Sequence, residues 1–303
     1  MKLNVIFLLF LIAIVGCDKD VDEFEPYVKT AISFPEVVDL KPIYKQFNAD
    51  EMSEIDLGDG DVLVVPAHSI IDQSGALLSG KIDLSITQIH RKADLIYAFL
   101  NSNNGKLDNG QLENYHIINI KAYHESKEVF VKNGHQIILK SPSDVSIPTG
   151  KVWTGEHFSS NNFGWNQASS TLENDTWSID GVAYSGVRYK ANEFGWLTGA
   201  KEITGENTLC VNLIEGTDQT KTKVYFIYDD AFCVAELKIF SDTGKFCGTI
   251  PSGTSGRLII INEEEKGQYR YQNTALTITE DTSISALPQI TVLEDIILGL
   301  NSL

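Results

Sequence analysis

Hydrophobic and polar residues alternate with a period of two along most of the chain, in short runs bounded by Gly, Asn, Asp and Ser. In Lys81-Ile82-Asp83-Leu84-Ser85-Ile86-Thr87 this places Ile82, Leu84 and Ile86 on one face, the signature of a half-buried strand. Asp61-Val62-Leu63-Val64-Val65-Pro66 follows the turn-forming Gly58-Asp59-Gly60. It ends on a proline, which lacks an N–H and suits a strand end. Similar runs occupy 115–123, 127–131, 135–140, 179–189, 208–215, 222–228, 234–240, 257–262, 268–271 and 274–279. Helical spacing comes late, with apolar residues at 293, 296, 297 and 300. Many short strands without interleaved helices argue against βαβ units and predict an all-β fold of tandem β-sandwich domains, closed by a short C-terminal helix. Two polar stretches, 141–151 and 198–207, read as linkers and place boundaries near 148 and 205.

The start of the chain departs from this pattern. Met1-Lys2 precedes an unbroken apolar run from Val5 to Val15, then Gly16-Cys17. A basic head, a short apolar stretch and a small residue at the cut predict a secretory signal. The run is well short of the ~18–20 residues that span a bilayer as a helix. Ile14-Val15-Gly16-Cys17 resembles the lipobox of bacterial lipoproteins. That resemblance implies a diacylglycerol on the Cys17 sulfur, cleavage just before it and acylation of the new amino group. Several acyl chains give a stable anchor where a single chain does not. Asp18-Lys19-Asp20-Val21-Asp22-Glu23-Phe24-Glu25 carries five acids and one base, so it is expected to stay extended as a tether. It resembles the acidic segment that sends Bacteroidetes-type lipoproteins to the outer surface, with the domains facing outward from the outer membrane. In enteric bacteria an Asp directly after the Cys retains the protein at the inner membrane instead.

Residues 58–141 carry a second resemblance. Gly58-Asp59-Gly60, Val64-Val65-Pro66-Ala67, Asp72 to Gly75, and Leu78-Ser79-Gly80-Lys81-Ile82-Asp83-Leu84 come first. Ala93-Asp94-Leu95-Ile96, Leu112-Glu113-Asn114-Tyr115 and Ile118-Asn119-Ile120-Lys121-Ala122 follow. Together they resemble the ZU5-like β-sandwich module of Bacteroidetes surface lipoproteins. The glycine common before the later strand is here Asn114-Tyr115, and Asn tolerates the left-handed region. Phe163-Gly164-Trp165 and Phe194-Gly195-Trp196 resemble the recurrent Gly-Trp segment of the same lipoproteins. Gly244-Lys245-Phe246 with Ile250-Pro251-Ser252-Gly253 resembles their C-terminal β-domain. The organisation expected is a signal peptide 1–16, a lipidated tether 17–26, a ZU5-like sandwich 27–147, an aromatic-rich β region 148–205, and a C-terminal β domain 206–303 that includes the terminal helix.

Charge narrows the partners. A formal net charge of -17 opposes nucleic-acid binding, which needs a basic face to release counterions. With Cys17 lipidated, Cys210, Cys233 and Cys247 remain. An odd number allows at most one pair, and the apolar runs around Cys210 and Cys233 favour buried thiols over a disulfide.

Signals for chemistry are sparse. His68, His90, His116, His124, His135 and His157 show no metal-ligand spacing and read as scattered surface imidazoles. Asp56, Asp59 and Asp61, like Glu263-Glu264-Glu265, read as solvated turn charges, not as a calcium loop, so no metal or other cofactor is expected. The chain contains no G-x-S-x-G, H-E-x-x-H or S-x-x-K, and no phosphate-binding glycine loop follows a strand. Some eukaryotic ZU5 proteins cleave themselves at a His-Phe-Ser, and His157-Phe158-Ser159 matches that tripeptide. There the Ser hydroxyl attacks the preceding carbonyl, which puts the cut at Phe158/Ser159.

All four tryptophans lie within 153–196, beside Phe163, Tyr184, Tyr189 and Phe194. Core filling is the plainer account of so many rings, and an exposed patch the functional one, with Trp165, Trp177 and Trp196 as ligand-binding residues. The reading that results is a non-enzymatic envelope lipoprotein that binds or scaffolds, held to the membrane at Cys17 and directed at another envelope protein or a glycan. A carbohydrate-binding accessory of a polysaccharide uptake system stands second. A hydrolase with paired carboxylates, brought together only by the fold, stands third.

Overall fold

The computed structural model describes residues 40–104, 110–143, 150–159, 162–214, 217–240, 242–265 and 267–303. The signal peptide, Cys17 and the tether lie outside them. β1 (Ile43–Asn48), β2 (Ser53–Gly58), β3 (Asp61–Val65), β4 (Ile70–Ile71) and β5 (Lys81–Ile89) lead to a short helix, α1 (Lys92–Tyr97). β6 (Gly110–His124), β7 (Lys127–Glu128), β8 (Phe130–Val131), β9 (Ile137–Pro142) and β10 (Lys151–Ser159) follow. Next come β11 (Asn162–Thr171), β12 (Glu173–Ile179), β13 (Val182–Ala191) and β14 (Gly195–Thr204). The remainder is β15 (Asn207–Leu213), β16 (Thr222–Tyr228), β17 (Val234–Phe240), β18 (Lys245–Ile250), β19 (Thr254–Glu265), β20 (Gln268–Ile278), β21 (Thr282–Ala286), β22 (Gln289–Thr291) and α2 (Leu293–Asn301).

The fold is all-β, as the alternation predicts. One sheet runs β1-β5-β6-β14-β10-β11, with β7 added against β6, and a five-stranded sheet runs β12-β13-β9-β3-β2. An eight-stranded sheet, β21-β15-β18-β17-β16-β19-β20-β22, holds the C-terminal part, and β4 pairs with β8 in a small ribbon. Ile82, Leu84 and Ile86 of β5 pack with Leu63 and Val65 of β3 and Leu139 of β9 in the core between the first two sheets. Leu209, Phe226, Leu237, Leu258 and Ile278 form a separate core within the eight-stranded sheet.

A third core joins these parts. Leu112 and Ile117 of β6, Trp153 of β10, and Phe163 and Trp165 of β11 meet Tyr225, Ile227, Ile259 and Ile261 of β16 and β19. Ile296 and Leu300 of α2 complete it. Within β10, Val152 faces the first core and Trp153 this one; within β14, Leu197 and Ala200 divide in the same way. The central strands of the seven-stranded sheet are therefore buried on both faces, and their hydrophobic alternation is blurred for that reason.

Several local expectations change. Residues 198–204, expected in a linker, lie in β14 between β6 and β10. The hydroxyl of Thr198 is buried and donates to Asn114 Oδ1 on β6 at 3.1 Å, and Gly199 lies under Leu172, so small and polar residues here mark close packing. The run at 179–189 is not one strand: Ile179 ends β12, Asp180-Gly181 turn with positive φ of 48° and 83°, and the rest lies in β13, which pairs back on β12. Those are the conformations a tight two-residue hairpin turn requires. Ala93–Tyr97 are buried in a helix of only six residues, too short to show a period. The runs at 268–271 and 274–279 are one strand, β20, whereas 127–131 is divided between β7 and β8.

Candidate functional site

Three features come forward, beginning with a groove at one end of the first sandwich. It has a volume of about 800 Å³ and is lined by 72–74, Leu78, His124, Glu125 and 127–130. One wall is a turn organised by Asp72. Its Oδ1 accepts hydrogen bonds from Ser74 N at 2.8 Å, Ser74 Oγ at 2.7 Å and Ala76 N at 2.9 Å. The Ser74 hydroxyl, with the Ala76 amide, holds the carboxyl below the ordinary Asp value. The opposite wall is the β6–β7 hairpin, whose central Glu125 and Ser126 have φ of 50° and 65°. The two-residue hairpin loop requires that region, although non-glycine residues seldom adopt it. The β4–β8 ribbon ties the walls together through Ile70 opposite Val131 and Ile71 opposite Phe130. Val129 is buried, whereas the Phe130 ring stays 42% exposed. Glu125, Lys127 and Glu128 are all exposed at the rim.

The second feature is a polar layer inside the same sandwich. Asp61 at the start of β3 and Ser141 on β9 face Gln88 and His116 from the other sheet, and all but Gln88 are buried. Gln88 Nε2 donates to Asp61 Oδ2 at 2.6 Å. His116 Nε2 lies 3.1 Å from the same oxygen as an ion-pair contact, without hydrogen-bond alignment. Burial alone would raise the Asp61 carboxyl. The nearby His116 ring, helped by Ser141 and by the more distant His90, outweighs it and holds Asp61 below the ordinary value. His116 is thus no surface imidazole: it shares the inward parity of Ile118 and Ile120 on β6. Asp61 is likewise buried and turned away from the other acids of its string. Among the described residues no three His, Cys, Asp or Glu side chains converge as a metal cage.

The third feature is the aromatic segment, which divides. Trp165 is fully buried, with its Nε1 donating to Asn101 O at 2.7 Å, and Phe163 meets it edge-on at 5.1 Å. It has no face to offer a ligand, which corrects the expectation of a binding residue there. The cause is the second covering layer over β10, β11 and β14. Trp196 is half-buried and contacts Phe163 at 6.5 Å. Trp177 is half-buried, stacked on Tyr184 at 6.2 Å, and donates Nε1 to Gly60 O at 2.9 Å. Gly60, at φ of 89°, must be glycine also because a Cβ there would lie 2.5 Å from the Tyr184 ring.

His157 is exposed at the end of β10, with its ring 5.0 Å from Phe163. The side chains of Phe158 and Ser159, on which the self-cleavage expectation falls, lie outside the described residues. Cys210 and Cys247 sit directly opposite each other on β15 and β18 and form a disulfide. Strand register, which spacing in the sequence does not reveal, overturns the expectation of thiols at these two positions. Cys233 is a free, buried cysteine, and burial pushes its thiol up. The groove and the polar layer are both absent from the sequence reading, because 72–78 and 124–130, or positions 61, 88, 116 and 141, meet only through strand pairing. No family model and no curated protein sequence matches the chain.

Proposed function

We propose that this is a non-catalytic protein of the bacterial cell envelope, anchored by lipid at Cys17, that binds or scaffolds through the β-sandwich end furnished with the groove. The observation that carries the reading is the placement of Cys17 directly after the apolar run Val5 to Val15. The Cys210–Cys247 disulfide supports it, because such pairs persist in oxidising compartments and are rare in the cytosol. The acidic stretch after Cys17 supports display at the outer surface.

Growth with labelled palmitate tests the anchor. The protein should carry label and fractionate with membranes, and Cys17→Ser should remove both properties. An unlabelled protein whose soluble fraction is unchanged by Cys17→Ser sinks this reading. A second reading, carbohydrate binding, draws support from the half-exposed Trp177–Tyr184 stack and from Trp196. It requires glycan-array binding that Trp177→Ala or Trp196→Ala abolishes.

A further inference from the structure

The groove at the sandwich end has more to say about the partner. We propose that it docks an extended peptide segment bearing lysine or arginine, contributed by another envelope protein. This deepens the binding role above and rests on it.

Size comes first: about 800 Å³ falls inside the ~300–1,000 Å³ range of ligand-binding clefts. The floor is apolar, formed by Leu78, buried Val129 and Phe130, whose 42% exposure leaves an aromatic face free to be covered. The rim carries Asp72, Glu125 and Glu128 against Lys127, a net of two negative charges. Asp72 is committed to its own turn, which leaves Glu125 and Glu128 as the carboxylates free to receive a cation. No ion pair engages either of them among the described residues. Phosphates and other anions are disfavoured by this rim. An aliphatic stem over Phe130, ending in an ammonium or guanidinium beside Glu125 or Glu128, satisfies both surfaces at once.

Backbone geometry favours an extended ligand. β7, at Lys127–Glu128, pairs on one side with β6 and, among the described residues, on no other. Its second edge is open in the lining of the groove. A peptide laid along such an edge gains main-chain hydrogen bonds, and alternate side chains enter the cleft. The rigid Asp72 turn and the β4–β8 ribbon keep the cleft formed before the ligand arrives, so little ordering is needed on the protein side.

The test uses the intact protein in detergent and fluorescence anisotropy with a capped hexapeptide that alternates lysine and leucine. A glutamate–leucine hexapeptide serves as counterpart. The expected result is saturable binding of the lysine peptide alone. Phe130→Ala should weaken it about tenfold, as loss of an aromatic anchor does. Phe130→Lys should abolish it. The pair Glu125→Gln/Glu128→Gln should weaken it several-fold at low salt, and the equal charge change Glu206→Gln/Glu280→Gln, at exposed positions beside the eight-stranded sheet, should leave it unaltered. Several outcomes overturn the proposal: no saturable binding, indifference to both Phe130 variants, or equal weakening by the two glutamine pairs. Binding of neutral oligosaccharides in place of the peptide, sensitive to Phe130, also overturns it and makes the groove a sugar site. The palmitate label reports separately, so a labelled protein that ignores the peptide refutes the groove assignment and leaves the anchored reading standing.

Discussion

The seven-stranded and five-stranded sheets share one core, yet their outer faces meet different surroundings. The outer face of the five-stranded sheet is open along β2 and β12, where buried or half-buried residues alternate with exposed ones. The seven-stranded sheet is roofed by the core that includes α2 and the eight-stranded sheet, so Val152 and Trp153, adjacent in sequence, lie in two different cores. Alternation along a strand reports burial on one side only, and aromatic crowding without alternation reports burial on two. The same residue type therefore has opposite meanings in the two sheets: Trp165 is a structural keystone, whereas Trp177 is a half-exposed brace.

The largest effect expected from this contrast is a gap between two tryptophan variants. Trp165→Ala should cost about 3–5 kcal/mol, as truncations of fully buried aromatics do. Trp177→Ala should cost only about 1–2 kcal/mol, for one hydrogen bond to Gly60 and partial burial. Urea unfolding of both variants checks this, and equal losses would break the comparison.

A somewhat smaller effect probes the roof itself. Cys210→Ser removes a bridge spanning 37 residues and should lower stability by about 2–4 kcal/mol. The shared core predicts that the whole described region then unfolds earlier in a single transition. Separate transitions for the eight-stranded sheet and the sandwich would show that the roof is only loosely attached.

The smallest effect lies where the two sheets face each other through Asp61. Its carboxyl is held below the unfolded value of ~3.9, so the native state favours the ionised form. That contribution is fully present above the unfolded value and is lost as pH falls through the lower folded value. The urea midpoint of the native sequence should therefore fall further between pH 5 and pH 3 than that of Asp61→Asn. Parallel curves would remove Asp61 from the acid response.

How far the sequence reveals the fold follows from the same contrast. Ile82, Leu84 and Ile86 announce their strand because each neighbour between them is less buried, and the spacing of Leu293, Ile296 and Leu300 announces α2. The residues of β14 give no such signal. Thr198, Gly199 and Ala200 look like loop composition, and only their place between β6 and β10 makes small side chains necessary. The paired cysteines, buried His116 and the two walls of the groove depend on register between residues far apart in sequence. Such relations are set by the assembled sheets, not by any local run.

One detail at the chain's far end bears on how such a molecule is made. Ile296 and Leu300 fill the core over the seven-stranded sheet, and Tyr97 Oη reaches Ile297 O at 3.2 Å and Asn301 Oδ1 at 3.1 Å. A polypeptide delivered N-terminus first presents this keyhole long before the key emerges. An intermediate in which the sandwich strands have paired but α2 has not yet arrived thus keeps an oily seam open over β10 and β11, sealed only when Ile296 and Leu300 dock.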